Sequence, residues 1–166
     1  MLKHECICHN SKNHIETPER LHAIWSRLDS KGLLDECEII KGKMASIEDI
    51  SMCHSEEYSS IYSADIDVRS RLKPEYLQVY FQSFCMAPCN GFALVSDQDN
   101  SWNEEHTPTA CRVAIGSTYE LAELVTLGKL KNGFALVRPP GSHAEYNKPL
   151  YAFLISSLSF KKINRF

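Results

Sequence analysis

The passage from residue 109 to residue 146 constrains this chain most, because a long helical pattern there runs into an apolar stretch and then a polar loop. Val113, Ala114, Leu121, Leu124 and Val125 mark a helix from about Thr109 to Leu127, and Gly128 stops it. Lys131-Asn132-Gly133 turns the chain, and Phe134-Ala135-Leu136-Val137 has the continuous apolar character of a strand covered on both faces. Arg138-Pro139-Pro140-Gly141 then ends the strand and delivers His143 and Glu145 on a loop. A long helix feeding a buried strand that opens into a loop predicts an α/β fold. In such folds chemistry collects at the carboxyl ends of the strands.

The upstream segments supply further elements. Residues 1–16 form a polar arm rich in His and Cys, with neither helical nor strand periodicity. Thr17-Pro18-Glu19 reads as N-cap, N1 proline and first-turn acid. Leu21, Ile24, Trp25 and Leu28 follow on one helical face, and Gly32 is placed to end the helix. The run from Cys37 to Gly42 predicts a short strand. Ser46-Ile47-Glu48-Asp49 has the form of a capping box for a short helix to about Cys53, and Ser55 is placed to cap another. Tyr76, Tyr80 and Phe84 fit a helix at four-residue spacing. No internal repeat or linker marks a second domain.

Composition narrows the function classes. A chain of 166 residues suffices for one domain, and a net charge of −3 provides no global basic field for nucleic acid. The N-terminus lacks the apolar core of a secretory signal, and the longest apolar run, Leu150 to Phe160, is about half of a membrane span. Seven cysteines, an odd number, suit a reducing compartment better than a secreted disulfide framework. These features predict a soluble intracellular protein.

Two constellations carry candidate chemistry. In "HECICHNSKNH", Cys6 and Cys8 lie in a C-x-C spacing with His4, His9 and His14 nearby, a donor set suited to zinc. A fourth ligand would come from a distance, with Cys85 and Cys89 as candidates; the alternative is an arm whose cysteines are incidental. In the second constellation, two prolines fix the exit from the strand and hold His143 with the restricted freedom a general base requires. Glu145 is near enough in sequence to orient it, and a loop histidine with no task is the competing reading.

Taken together, "MLKHECIC", "ETPERLHAIWSRLDSKGLL", "CHSEEY", "WNEEHT" and "LKNGFALVRPPGSHAEY" resemble, in order and spacing, the class IIa histone deacetylases. The resemblance runs from residue 1 to about Pro149 and covers less than half of a full catalytic domain. It implies an arginase/deacetylase-like α/β fold, here an incomplete parallel sheet flanked by helices, with a zinc-binding arm over 1–16 and a divergent tail over 150–166. It also implies a structural zinc on Cys6, Cys8, His14 and Cys89, with Cys89 preferred to Cys85 because "APCNG" matches the family's Pro-Cys-Gly element. Thr17 stands where the family can place a further histidine, and His4 is retained and available as a substitute. By the same resemblance His143 is the general base, Ser142 replaces a neighbouring histidine, and Asp99 stands at the rim that holds the substrate backbone.

The sequence then departs from the family. Catalysis there needs a second zinc held by two aspartates and a histidine, beginning with an Asp-x-His on the next strand. After Pro149 this chain reads "LYAFLISSLSFKKINRF", with Tyr151-Ala152 in place of the Gly-Phe pair of the acyl-lysine channel. Those ligands polarise the amide carbonyl and activate the attacking water, and His143 cannot replace a Lewis acid. The resemblance therefore implies hydrolysis of N-acetyl-lysine on histones or other proteins, transcriptional repression, and nuclear and cytoplasmic residence for the family, with this chain a truncated form inactive by itself. The second expectation is a non-catalytic, zinc-stabilised module that binds corepressor proteins. Neither reading involves direct nucleic-acid or membrane binding.

Overall fold

The structure, a computed structural model, describes residues 1–6, 16–52, 54–63, 65, 67–68, 103, 105–140, 144–145 and 148–149. Helix α1 spans Glu19–Ser30. It begins one residue later than the sequence pattern predicts: Pro18 occupies the cap position, and the Thr17 carbonyl accepts from the Arg20 N–H at 3.2 Å. The end matches the expectation. Gly32 takes φ +68°, its N–H reaches the Asp29 carbonyl at 2.8 Å, and the Leu33 N–H reaches Leu28 at 3.1 Å. These two bonds make a Schellman turn, which needs a left-handed residue at this position.

A 3-10 turn over Leu34–Glu36 comes next, and the strand expected from Cys37 to Gly42 is not formed. Ile39 is exposed there, and no ladder partner lies beside it among the described residues. The segment is instead fixed by its continuation, where Lys43–Ala45 lie across a long helix, α4, spanning Thr107–Thr126. The Ala45 N–H donates to the Arg112 carbonyl at 2.9 Å, and Arg112 Nε donates to the Ala45 carbonyl at 2.8 Å. Gly116 permits this approach, because a Cβ there would fall 2.6 Å from the Ala45 nitrogen and collide with the Lys43 carbonyl.

Two short helices pack beside α4. In α2, Ile47–Ser51, Ser46 Oγ accepts from the Asp49 N–H and Asp49 Oδ2 accepts from the Ser46 N–H, both at 3.0 Å. This is the expected capping box, and it satisfies two donors that the helix itself leaves open. In α3, Glu56–Ser60, Ser55 Oγ accepts from the Tyr58 N–H at 3.2 Å. His54, just before that cap, is buried against Tyr58, with ring centroids 5.0 Å apart. Ala45, Ile50, Tyr58, Ile61, Tyr62, Cys111 and Ile115 form one buried cluster between α2, α3 and α4.

Helix α4 begins two residues earlier than its pattern predicts. Asn103 Oδ1 accepts from the Glu105 and His106 N–H groups, both at 3.1 Å, and turns the chain into the helix with Pro108 in its first turn. Gly128, at φ +68°, closes the helix through a second Schellman turn, with the Lys129 N–H on the Leu124 carbonyl at 2.9 Å. Phe134–Val137 carries no ladder among the described residues, and Phe134 is 73% exposed. A parallel strand exists only through its neighbours, so the expected parallel sheet is not seen in the described part. The strands described are two-residue β1, Ala144–Glu145, and β2, Lys148–Pro149, paired antiparallel with Glu145 opposite Lys148. The helix expected around Tyr76, Tyr80 and Phe84 lies outside the described residues.

Candidate functional site

The beginning of the arm and the beginning of the His143 loop meet at a buried charged cluster. Arg138, 2% exposed, faces Glu16 with both edges of its fork: Nε donates to Oε1 at 2.5 Å and Nη2 to Oε2 at 2.6 Å. Its Nη1 donates to the Met1 carbonyl at 3.1 Å, and its backbone N–H lies 3.4 Å from the Met1 sulfur. A bidentate guanidinium–carboxylate pair is among the strongest hydrogen-bonded contacts a protein makes, and it permits both ions to remain charged away from water. Met1 and His4 of the arm both touch the pair, Met1 through Arg138 and His4 through Glu16.

His4 completes the cluster. Its Nδ1 lies 2.8 Å from Thr107 Oγ1, and its Nε2 lies 3.6 Å from Glu16 Oε2. The Thr107 hydroxyl oxygen already accepts from the Asn103 N–H at 2.7 Å, so its proton is available for His4 Nδ1. The Glu16 carboxylate can only accept, so the tautomer with its proton on Nε2, and with Nδ1 accepting from the Thr107 hydroxyl, suits both neighbours. Burial, then the Arg138 guanidinium and the N-terminal amine, push the His4 pKa down to about 3. The contact with Glu16 is therefore made by a neutral imidazole and is not an ion pair, and Arg138 supplies the neutralising charge. His4 Nδ1 is thus engaged with Thr107, while Nε2 faces the Glu16 carboxylate beyond hydrogen-bond distance.

The sequence-derived site residues fall unevenly on the structure. Cys6 is buried at the end of the anchored strip, and the Asn103 amide donates to the adjoining Glu5 carbonyl at 3.3 Å. Cys8, His14, Cys89, Asp99 and His143 lie outside the described residues. Among the described residues, no group of three His, Cys, Asp or Glu side chains is placed to hold a metal. Cys6, Cys37 and Cys111 are not joined in disulfides there. Beyond His143, the β1–β2 pairing fixes the backbone of Ala144 and Glu145, and the Arg138–Pro139 peptide is cis. No described helix is long and apolar enough to cross a membrane.

The sequence pattern places Arg138 in a turn and assigns Glu16 no role, so this cluster is not visible in it. A signal is present: an arginine closing the run Phe134–Val137 has no solvent to turn to if that run is covered, and requires a buried acid. Which acid it would find, 122 residues away in the chain, no local pattern reports.

The chain is similar to known proteins over most of its length. Residues 14–150 match the histone deacetylase domain family. This chain belongs to the histone deacetylase family. It is 47% identical over 150 residues to human histone deacetylase 9, 41% identical over 149 residues to human histone deacetylase 7, and 39% identical over 150 residues to histone deacetylase 4 of Caenorhabditis briggsae. These alignments take in 87%, 89% and 90% of this chain but only 14%, 15% and 16% of the relatives, respectively. The crystal structure of the HDA15 HD domain superposes with a TM-score of 0.64 at 27% identity, covering 92% of this chain and 38% of that one. The resemblance to class IIa deacetylases read from the motifs therefore holds, and the fold is that of part of a deacetylase catalytic domain.

Proposed function

We propose that this chain is a portion of a zinc-dependent deacetylase domain that acts on N-acetyl-lysine of histones or other proteins, and that its 166 residues do not perform hydrolysis by themselves. The observation that carries this reading is the joining of family motifs to a missing metal set. Residues 14–150 match the deacetylase domain, yet no Asp-x-His occurs anywhere in the chain. His143 is the base of the larger domain, Asp99 its contact to the substrate backbone, and the catalytic zinc would be supplied by ligands these residues do not include. Without a Lewis acid on the carbonyl, the developing oxyanion has no adequate counter-charge, and a base alone contributes only about two to four orders of magnitude in rate.

The arm is assigned a structural zinc on Cys6, Cys8, His14 and Cys89. The donor set fits: three thiolates and one imidazole make a closed tetrahedral site of the structural type. Bound there, zinc supplies cross-linking and no chemistry. Cys6 is delivered at the end of a strip that protein contacts already hold, at His4 to Thr107 and at Glu5 to Asn103.

The same anchoring favours a second reading, a zinc-stabilised module that binds corepressor proteins in the nucleus or cytoplasm. Such a module needs a well-held arm and no catalytic metal. One experiment separates the two readings from each other and tests both. The purified chain is loaded with zinc and assayed for release of acetate from an acetyl-lysine peptide and for capture of corepressor proteins. Absence of acetate release with zinc retained supports the fragment reading; turnover contradicts it. Capture lost in Cys6→Ser/Cys89→Ser supports the module, and capture unaffected by that double change contradicts it.

A further inference from the structure

We propose that the open face of segments 39–44 and 134–137, where they lie on α4, is a docking edge for an apolar strand from the remaining part of a deacetylase domain. The proposal rests on the reading of this chain as a portion of such a domain, and adds to it the surface and the partner.

The two segments are far apart in sequence, yet both sit on one ridge of α4. A Cβ at Gly42 would lie 2.6 Å from Ser117 Oγ and 3.5 Å from Val113 Cγ1, and one at Gly133 would lie 2.8 Å from Leu121 Cγ. Val113, Ser117 and Leu121 follow at four-residue intervals, so these contacts fall on successive turns of one helical face. The helix therefore covers one side of each segment. The other side is open: Ile39 is 61% exposed and Phe134 is 73% exposed. A continuous apolar run such as 134–137 is the pattern of a strand covered on both faces, and only one face is covered.

The backbone points the same way, independently of the side chains. Among the described residues, no N–H or carbonyl of 39–44 or 134–137 takes part in a hydrogen bond. Bonding resumes immediately after each segment, at the Ala45 N–H on Arg112 and at the Arg138 N–H on the Met1 sulfur. A row of open donors and acceptors beside exposed apolar side chains is what an added strand takes up. The other exposed apolar face, Ile24 and Trp25 of α1, has its backbone bonded within the helix and cannot receive a strand.

Two observations select the occupant. Stretches 39–47 and 127–137 carry Lys41, Lys43, Lys129 and Lys131, all exposed, and no Asp or Glu. A second copy of the chain would set this basic rim against itself, which like-charge repulsion disfavours; a strand with neutral or acidic flanks suits it. The HDA15 HD domain superposes on 92% of this chain, which accounts for only 38% of that domain. The larger part of a deacetylase domain must be held against this part by some surface, and the α4 edge offers open apolar side chains and open backbone groups together.

The test uses the full 166-residue chain, co-expressed with the part of the human histone deacetylase 9 deacetylase domain outside the 150 matched residues. Co-purification through a tag on either chain reads association, and hydrogen exchange reads its place. The expected result is a complex in which the amides of 40–44 and 135–137 exchange slower by about tenfold or more. Exchange at Ala45 should change little, because that amide is already bonded to Arg112. Phe134→Glu and Ile39→Glu, each at an exposed side chain, should leave Ala45 protected and weaken association on the order of tenfold or more. No complex, a complex that leaves 135–137 unprotected, or variants that bind within about twofold of wild type would overturn the proposal. So would protection of the same amides in a dimer of the chain alone. These outcomes leave the fragment reading standing; acetate release by the chain alone overturns that reading and the docking edge with it.

Discussion

Arg138 and Glu16, 122 positions apart in the chain, meet through two parallel hydrogen bonds, at 2.5 and 2.6 Å, with both side chains almost fully buried. A long-range buried pair of this kind is asymmetric in its energetics. Forming it from two solvated ions yields little net stability, whereas deleting one partner strands the other in a site that cannot solvate it. Arg138→Met alone should therefore destabilise the chain by about 3–5 kcal/mol. The double variant Glu16→Gln/Arg138→Met should recover much of that loss. Urea unfolding of the three proteins measures the difference; equal losses in single and double variants would contradict the pairing.

His4 makes stability depend on acid. Its neutral ring is enclosed by Glu16, Arg138, Thr107 and the N-terminal amine. The folded pKa is about 3 against an ordinary value of 6.5, so between those limits the unfolded chain binds a proton that the folded chain refuses. Stability contributed by this site is complete above pH 6.5 and falls as the pH drops toward 3, at up to about 1.4 kcal/mol per unit. Denaturant midpoints of metal-stripped protein should decline through that window, and His4→Gln should flatten the decline. Parallel curves for the two proteins would contradict the assignment.

Gly116 and Gly128 are both glycines of α4 or its end, and they should respond differently to alanine. At Gly116 the new methyl group meets the Lys43 carbonyl and the Ala45 nitrogen, backbone atoms that move only if the crossing opens. Gly116→Ala should cost about 1–3 kcal/mol despite alanine's better helix propensity. At Gly128 nothing lies within 4 Å, and the cost is that of a left-handed alanine, about 1–2 kcal/mol. Exchange of the Ala45 amide separates the two cases: Gly116→Ala should accelerate it and Gly128→Ala should not.

Cys111 should be chemically silent. It is buried in the cluster with Tyr62 and Ile115, and burial raises its pKa well above the usual thiol range. Since the thiolate is the reactive form, iodoacetamide at about pH 8 should label the exposed Cys37 and leave Cys111 untouched until the chain unfolds. Burial also raises Tyr62. Both groups ionise more readily in the unfolded chain, so the stability they contribute is present below their ordinary pKa values and is lost as the pH rises above about 9. Site-resolved mass spectrometry of labelled native protein checks the first expectation, and urea midpoints at alkaline pH the second.

Elements whose cause is local are legible in the sequence. The capping box at Ser46–Asp49, the Ser55 cap and the glycine stops at Gly32 and Gly128 each arise from a few adjacent residues, and each is present in the fold. Strands are not legible in the same way. Cys37–Gly42 and Phe134–Val137 have strand composition, but a strand is made by its neighbour, and composition does not say whether one is there. The crossing at Gly116 and the Glu16–Arg138 pair escape for a related reason, since each joins segments far apart in the chain. Mid-helix glycine and an arginine after an apolar run are the available signals, and neither names its partner. Of the candidate metal ligands Cys6, Cys8, His14 and Cys89, only Cys6 lies among the described residues.

On the function proposed above, this chain carries the structural metal site of a deacetylase domain and not its catalytic one. Metal analysis of the purified chain, alongside acetate release from an acetyl-lysine peptide, distinguishes the two sites. The predicted result is about one equivalent of zinc per chain, held by a closed four-ligand site, lost in Cys6→Ser/Cys89→Ser, with no turnover. Two equivalents with measurable turnover, or one that survives the double cysteine change, would contradict it.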